Sequence, residues 1–370
     1  MRKIWIAGIV LIAVALIVFT SLNATEYVAN EAPIKIGGAF ALSGFASQWG
    51  EAELNAAGMA IEETNAKGGI DGRKIEMITE NIESDSIKSV IAVSKLIHAD
   101  KIDVIIGPSW LDSFGGAAPL ADENEVLMIT PSASITAVKK EKNYGYVFST
   151  WYRADVEIKE LARHLSGKRI VLFFGNDPFW EDISQNIKKN SDEFELKILG
   201  EYKFNSKETD FRTALIKIKE TNPDAIVFGL NDERGILSFL QQRQVLYPDS
   251  VLYTTESIEE FLSKDDFKAL MENMRILSPK IVENDFSDRY KERFGTEPVF
   301  SASNAYDATM ILIEAMKAGN MDAESIRDYI ANNEFSTVTF GKIRFDEIGG
   351  IVGGEFVIKR VINGEAEIIA

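Results

Sequence analysis

The feature that most narrows the fold is a repeated alternation of short apolar runs with longer amphipathic stretches. Strand-like runs fall at Ile34–Ala41, Lys74–Glu80, Val104–Gly107, Val126–Thr130, Tyr146–Thr150, Arg169–Gly175, Lys197–Tyr202, Ala225–Leu230 and Val251–Thr254. Helical stretches lie between them, among them Glu51–Asn65, Ile87–Ala99, Ala154–Leu165, Trp180–Asn190, Asp210–Glu220 and Glu233–Gln244. In the first of these, Leu54, Met59 and Ile61 with intervening alanines make one packing stripe. Strands that alternate with helices predict parallel sheets covered on both faces, an α/β architecture. Val104-Ile105-Ile106 and Ile170-Val171-Leu172-Phe173-Phe174 read as central, fully buried strands. The C-terminus changes character: Ile343–Asp346 and Gly354–Ile358 flank a glycine-rich turn, as in an antiparallel hairpin. A chain of 370 residues is long for one core, so two lobes are expected. Its two halves are similar βα series.

The net charge of −17 leaves nothing basic to displace phosphate counterions, which argues against nucleic acid as a partner. The absence of cysteine removes disulfides, thiolate metal sites, a cysteine nucleophile and a lipid-attachment thiol together. The only histidines, His98 and His164, fall on separate predicted helices, so neither a two-histidine metal site nor any other cofactor site is expected. Nothing matches a nucleophile elbow, a dinucleotide fingerprint or a phosphate loop. No enzymatic activity is expected.

Ile4–Phe19 is an unbroken apolar run of 16 residues preceded by Arg2 and Lys3. As a helix it would rise roughly 24 Å, and extension to Leu22 brings it close to a bilayer core. Residues 1–24 therefore read as a cleaved signal peptide or as an uncleaved membrane anchor, with 25–33 as a polar linker. Either reading exports the rest of the chain.

The opening unit has a distinctive order. A strand from Ile34 is followed by a Ser-Gly turn, then by Gln48-Trp49-Gly50-Glu51 at the start of a long helix. That helix ends in Asn65-Ala66-Lys67-Gly68-Gly69-Ile70-Asp71-Gly72 before a second strand. Further along come Ile105-Ile106-Gly107-Pro108, Leu127–Ser134, Thr221-Asn222-Pro223-Asp224, Phe294-Gly295-Thr296-Glu297-Pro298 and Ala305-Tyr306-Asp307-Ala308. In this order and spacing the segments resemble the type I periplasmic binding proteins, nearest the leucine/isoleucine/valine-binding group that serves ABC importers. The resemblance implies two doubly wound parallel-sheet lobes joined by three crossovers, near Ser149–Trp151, Ile276–Lys280 and Val338. Lobe 1 would comprise residues 34–150 plus 279–336, and lobe 2 residues 151–278 plus 337–370.

It also implies a binding site between the lobes, where strand-to-helix turns present helix N-termini suited to a carboxylate. One turn is Gly107–Ser113, where Leu111 stands in place of the usual serine and keeps only its backbone N–H, beside Asp112. The other is Thr130–Ser134, where Ser132 and Ser134 bind ligand or simply cap a helix. Trp49 would pack against the ligand side chain, or between lobes. Phe179 would supply a wall from lobe 2, and the adjacent Trp180 would narrow the mouth or pack at the helix start. Asn231 would bond the ligand or cap the following helix. Glu256 aligns with the acid that pairs with a ligand ammonium; the competing reading is a solvated surface glutamate. The resemblance thus implies capture of an amino acid, branched-chain aliphatic first, for delivery to ABC permease subunits. Such a protein would sit in the periplasm or on the outer face of the membrane, exported or anchored by residues 4–22. The departures at Leu111, Phe179 and Asn231 leave open a small amide or urea-like ligand. The N-terminal segment leaves open a membrane-tethered sensor.

Overall fold

The computed structural model describes residues 32–138, 144–205 and 207–369. The apolar N-terminal segment and most of its linker lie outside the described residues. Among those described, no helix is long and apolar enough to cross a membrane.

Two separate sheets carry the architecture. The first has five parallel strands in the order β2-β1-β3-β4-β5: β1 Ile34–Phe40, β2 Ile75–Asn81, β3 Val104–Ile106, β4 Leu127–Thr130 and β5 Val147–Ser149. The second has seven strands, β15-β14-β10-β9-β8-β6-β7. Its parallel part is β6 Arg169–Gly175, β7 Lys197–Phe204, β8 Ala225–Gly229, β9 Leu252–Thr255 and β10 Arg275–Pro279. Two antiparallel strands, β14 Phe356–Ile362 and β15 Glu365–Ile368, complete it. This is an α/β fold of two doubly wound lobes.

Both sheets are apolar on both faces, as parallel sheets flanked by helices require. In β3, Val104 and Ile106 face one cluster while Ile105 faces the other. In β6, Ile170, Leu172 and Phe174 face one cluster while Val171 and Phe173 face the other. The helix Ser47–Ala66 packs against the helix Phe300–Lys317, joining the beginning of the chain to its last quarter.

The crossovers come where the chain leaves one core for the other. After β5 it enters the helix Ala154–His164, which packs in the second lobe. After β10 it returns to the helix Phe286–Phe294 on the first lobe. The third passage differs from expectation. Strands β11 Glu334–Thr337, β12 Gly341–Phe345 and β13 Ile351–Gly353 form a small antiparallel sheet, with Phe335, Ile343, Phe345 and Ile351 in the first lobe's core. Ser149 also bridges to Gly350. The last crossing therefore falls between Gly353 and Phe356, not near Val338. The expected hairpin changes with it: β12 pairs with β13, whereas Phe356–Ile362 runs beside β10 in the other lobe. Gly353 makes this exit possible. Its φ is +129°, and a Cβ there would lie 2.6 Å from the Lys342 carbonyl oxygen.

Candidate functional site

A cavity of about 770 Å3 lies between the lobes. All seven residues singled out from the sequence line it: Trp49, Leu111, Ser132 and Ser134 from the first lobe, and Phe179, Asn231 and Glu256 from the second. The sequence reading missed six further aromatic linings, Phe45, Trp110, Trp151, Phe261, Phe286 and Phe300. Phe45 and Trp49 both pack against the Trp110 ring, at 5.4 and 5.2 Å between centroids, so the first lobe presents a continuous aromatic wall.

The turn after β3 is held from beneath. Ser109 Oγ accepts from the Ala41 N–H and donates to Glu53 Oε2, and Glu53 is completely buried. Burial pushes the Glu53 carboxyl up to about 7, opposed by the hydrogen bond from Ser109. Trp110 adopts a left-handed backbone, φ +73°, immediately before the helix Leu111–Glu123. Its N–H donates to Ser132 Oγ at 3.0 Å, so this hydroxyl links the two turns rather than capping a helix. Asp112, beside Leu111, is not part of the cavity lining. Ser134 Oγ accepts from the Ala154 N–H at 3.1 Å and bonds Thr136 Oγ1 at 2.9 Å. It thereby joins the first lobe's turn to the first residue of the second lobe's helix.

On the second lobe, Asp177 caps the helix Pro178–Asn190 by accepting from the Phe179 and Trp180 N–H groups. Phe179 is thereby set at the cavity. Trp180 turns inward: it is buried, lies parallel to Phe174 and donates from Nε1 to Asn231 Oδ1 at 2.7 Å. It packs at the helix start and does not narrow the mouth. Asn231 is not a cap either, since Asp232 accepts from the Gly235 N–H at the next helix.

Glu256 overturns the reading of a solvated surface acid: it is only 8% exposed. Its Oε1 accepts from the Tyr152 hydroxyl, and burial raises its carboxyl to about 7. Lys359, which also lines the cavity, pairs with Glu259 at 2.8 Å. Neither Tyr152 nor Glu53 carried a sequence signal that distinguished it from ordinary packing or surface residues. Among the described residues no group of three or more His, Cys, Asp or Glu is arranged to hold a metal ion.

A family model described as "Periplasmic binding protein" matches residues 33–365. The leucine-, isoleucine-, valine-, threonine-, and alanine-binding protein of Pseudomonas aeruginosa is 25% identical over 336 residues, covering 88% of this chain and 89% of that protein. The Leu/Ile/Val-binding protein of Escherichia coli K12 is 22% identical over 339 residues, with 87% and 89% covered. Among solved structures, the branched-chain amino acid transporter substrate binding protein LivJ of Streptococcus pneumoniae, in complex with isoleucine, superposes with a TM-score of 0.80 at 26% identity, covering 91% of this chain and 99% of that one. A solute binding protein from R. palustris in complex with benzoate shares the fold, with a TM-score of 0.78 at 18% identity, covering 91% and 96%. The family is one of substrate-binding proteins rather than enzymes, and membership implies an extracytoplasmic location. The two-lobed fold, the cavity between the lobes and the match along nearly the whole described chain agree: the chain belongs to the periplasmic binding protein family, the substrate-binding components of ABC transporters, with the leucine/isoleucine/valine-binding proteins among its relatives.

Proposed function

We propose that this protein captures an amino acid, branched-chain aliphatic first, in the cavity between its lobes and delivers it to the permease subunits of an ABC importer. The observation that carries this reading is Glu256, a buried carboxyl at the cavity wall whose Oε2 has no hydrogen-bond partner among the described residues. A buried carboxylate needs a cation, and an α-ammonium is one. The opposing turns at Leu111 and Ser132–Ser134 supply backbone groups at a helix start for the ligand carboxylate. The aromatic wall of Trp49 and Trp110, with Phe179 facing it, suits an apolar side chain. Capture would proceed by hinge closure: the ligand shifts the balance between open and closed forms only through contacts it gains in the closed one. Anchorage by residues 4–22 would hold the protein at the outer face of the membrane, where a sensing role for the same ectodomain is the alternative.

A thermal-shift panel of the common amino acids, small amides, urea and benzoate tests the ligand. Stabilisation by leucine, isoleucine or valine is the expected result; at one hundredfold above Kd it amounts to about 2.7 kcal/mol. Stabilisation by benzoate or urea with silence across the amino acids would refute the ammonium role of Glu256.

A further inference from the structure

Behind Glu256 stands a second buried acid that no ligand reading requires. Glu157 lies in the first turn of the helix Ala154–His164 and is 1% exposed. Its carboxyl adjoins that of Glu256. Neither Glu157 oxygen nor Glu256 Oε2 has a hydrogen-bond partner among the described residues. The groups facing the pair are mostly acids: Tyr152 from the first crossover, Asp182 from the helix Pro178–Asn190, and Glu259 from the turn that follows β9. The cation that acts on Glu256 is Lys359 on β14, and its ammonium is engaged by both oxygens of Glu259. Two adjoining carboxylates with no cation of their own cannot both remain ionised in a buried site.

We propose that Glu157 and Glu256 hold one proton between them in the ligand-free protein, and that the cationic nitrogen of the ligand replaces it. This rests on the reading of Glu256 as the partner of a ligand ammonium. The proton leaves to solvent, the ammonium takes its place, and no bond within the ligand changes. Glu157 is then a positioning residue that sets ligand choice through Glu256. With the proton in place the site is a hydrogen-bond donor; with the proton displaced it is an anion that only a cation can satisfy. Burial is the largest cause that moves both groups upward from the ordinary range; the neighbouring Glu256 carboxyl adds to the rise at Glu157, and Glu259 adds to the rise at Glu256. Because the free form carries the extra proton, affinity falls as pH falls. The slope approaches about tenfold per pH unit for one proton released.

Two measurements test this on the full chain. The first follows the carboxyl 13C resonances of labelled glutamate against pH without ligand, in the parent, Glu157→Gln and Glu256→Gln. The pair should show one carboxyl protonated well above the ordinary range, and Glu157→Gln should lower the Glu256 midpoint by about one unit or more. Midpoints that ignore substitution of the neighbour overturn the proposal. The second titrates L-leucine calorimetrically in buffers of different ionisation enthalpy. The parent should release a proton on binding, and Glu157→Gln clearly less of one. Leucine binding without proton release also overturns the proposal. Failure of leucine to bind would instead sink the ligand reading, and the carboxyl titration alone would then decide this one.

Discussion

Gly229 and Trp180 are shaped to one another. The indole lies so close over the end of β8 that a Cβ at Gly229 would fall 2.2 Å from the ring. The bulk at 180 is thus accommodated by the missing side chain at 229, and the ring edge is fixed by its bond to Asn231. Gly229→Ala should cost about 1–3 kcal/mol through overpacking. The penalty should shrink in a Trp180→Leu background. Urea unfolding of the two singles and the double reads this coupling; additive penalties would mean the ring does not set the constraint.

Glu53 makes stability depend on pH in a definite direction. Its ordinary value of 4.5 rises to about 7 in the folded chain. The folded state therefore holds a proton that the unfolded state has lost, and this contribution is full below pH 4.5 and disappears as pH rises through 7. Glu53→Gln keeps an acceptor for Ser109 and has no charge to bury. Relative to the parent it should gain stability between pH 5 and pH 8, by about 3 kcal/mol at most. Denaturant midpoints at the two pH values measure the difference, and a gap that stays constant with pH would be incompatible with a buried titrating Glu53.

Asp307 secures the turn between β11 and β12 of the small sheet. Its carboxyl accepts from the Val338 N–H at 2.8 Å, the Thr339 N–H at 3.0 Å and the Thr339 hydroxyl. Asp307→Ala leaves these donors unpaired in a buried site and should cost about 3 kcal/mol. Asp307→Asn retains an oxygen and should cost less. Chemical unfolding ranks the two; equal penalties would point to volume rather than hydrogen bonding.

Glu256→Gln should weaken leucine binding about tenfold to a hundredfold, the size of one charge-assisted hydrogen bond. Tyr152→Phe should weaken it less, since the hydroxyl acts on Glu256 from behind. Calorimetric titration of both variants is the check, and unchanged affinity in Glu256→Gln would remove the ammonium pairing.

The sheet strands were legible because burial on both faces writes itself as continuous apolar sequence. Ile170–Phe174 is such a run, and β6 does lie inside its sheet, between β7 and β8. The C-terminus was less legible for a physical reason. Glycines at 349, 350, 353 and 354 offer two turns, and the longer run Phe356–Ile362 outweighs the three-residue strand Ile351–Gly353 that actually closes the hairpin. The resemblance marks the neighbourhood of β10 only as a crossover; a five-residue run ending in proline gives little strand signal of its own. In the site, position along the chain identified Glu256, but only the fold shows that it is buried. Glu157 looks like any acid in a first helical turn, where the helix dipole alone would account for it. Ser134 gave the signal of a cap, and the group it accepts from belongs to a different helix.

The packing of Ser47–Ala66 on Phe300–Lys317 has a consequence for synthesis. A ribosome that has just emitted β5 has delivered every strand of the first sheet and none of the helix that covers one side of it. The second sheet is then begun and ended within the interval, except that β14 and β15 arrive last of all. Neither lobe can close over its core when its parallel strands are done: the first waits for Phe300–Lys317 and the small sheet, the second for β14 and β15. A nascent chain stopped between Pro279 and Phe300 holds two open hydrophobic sheets, which is when it most needs protection from aggregation.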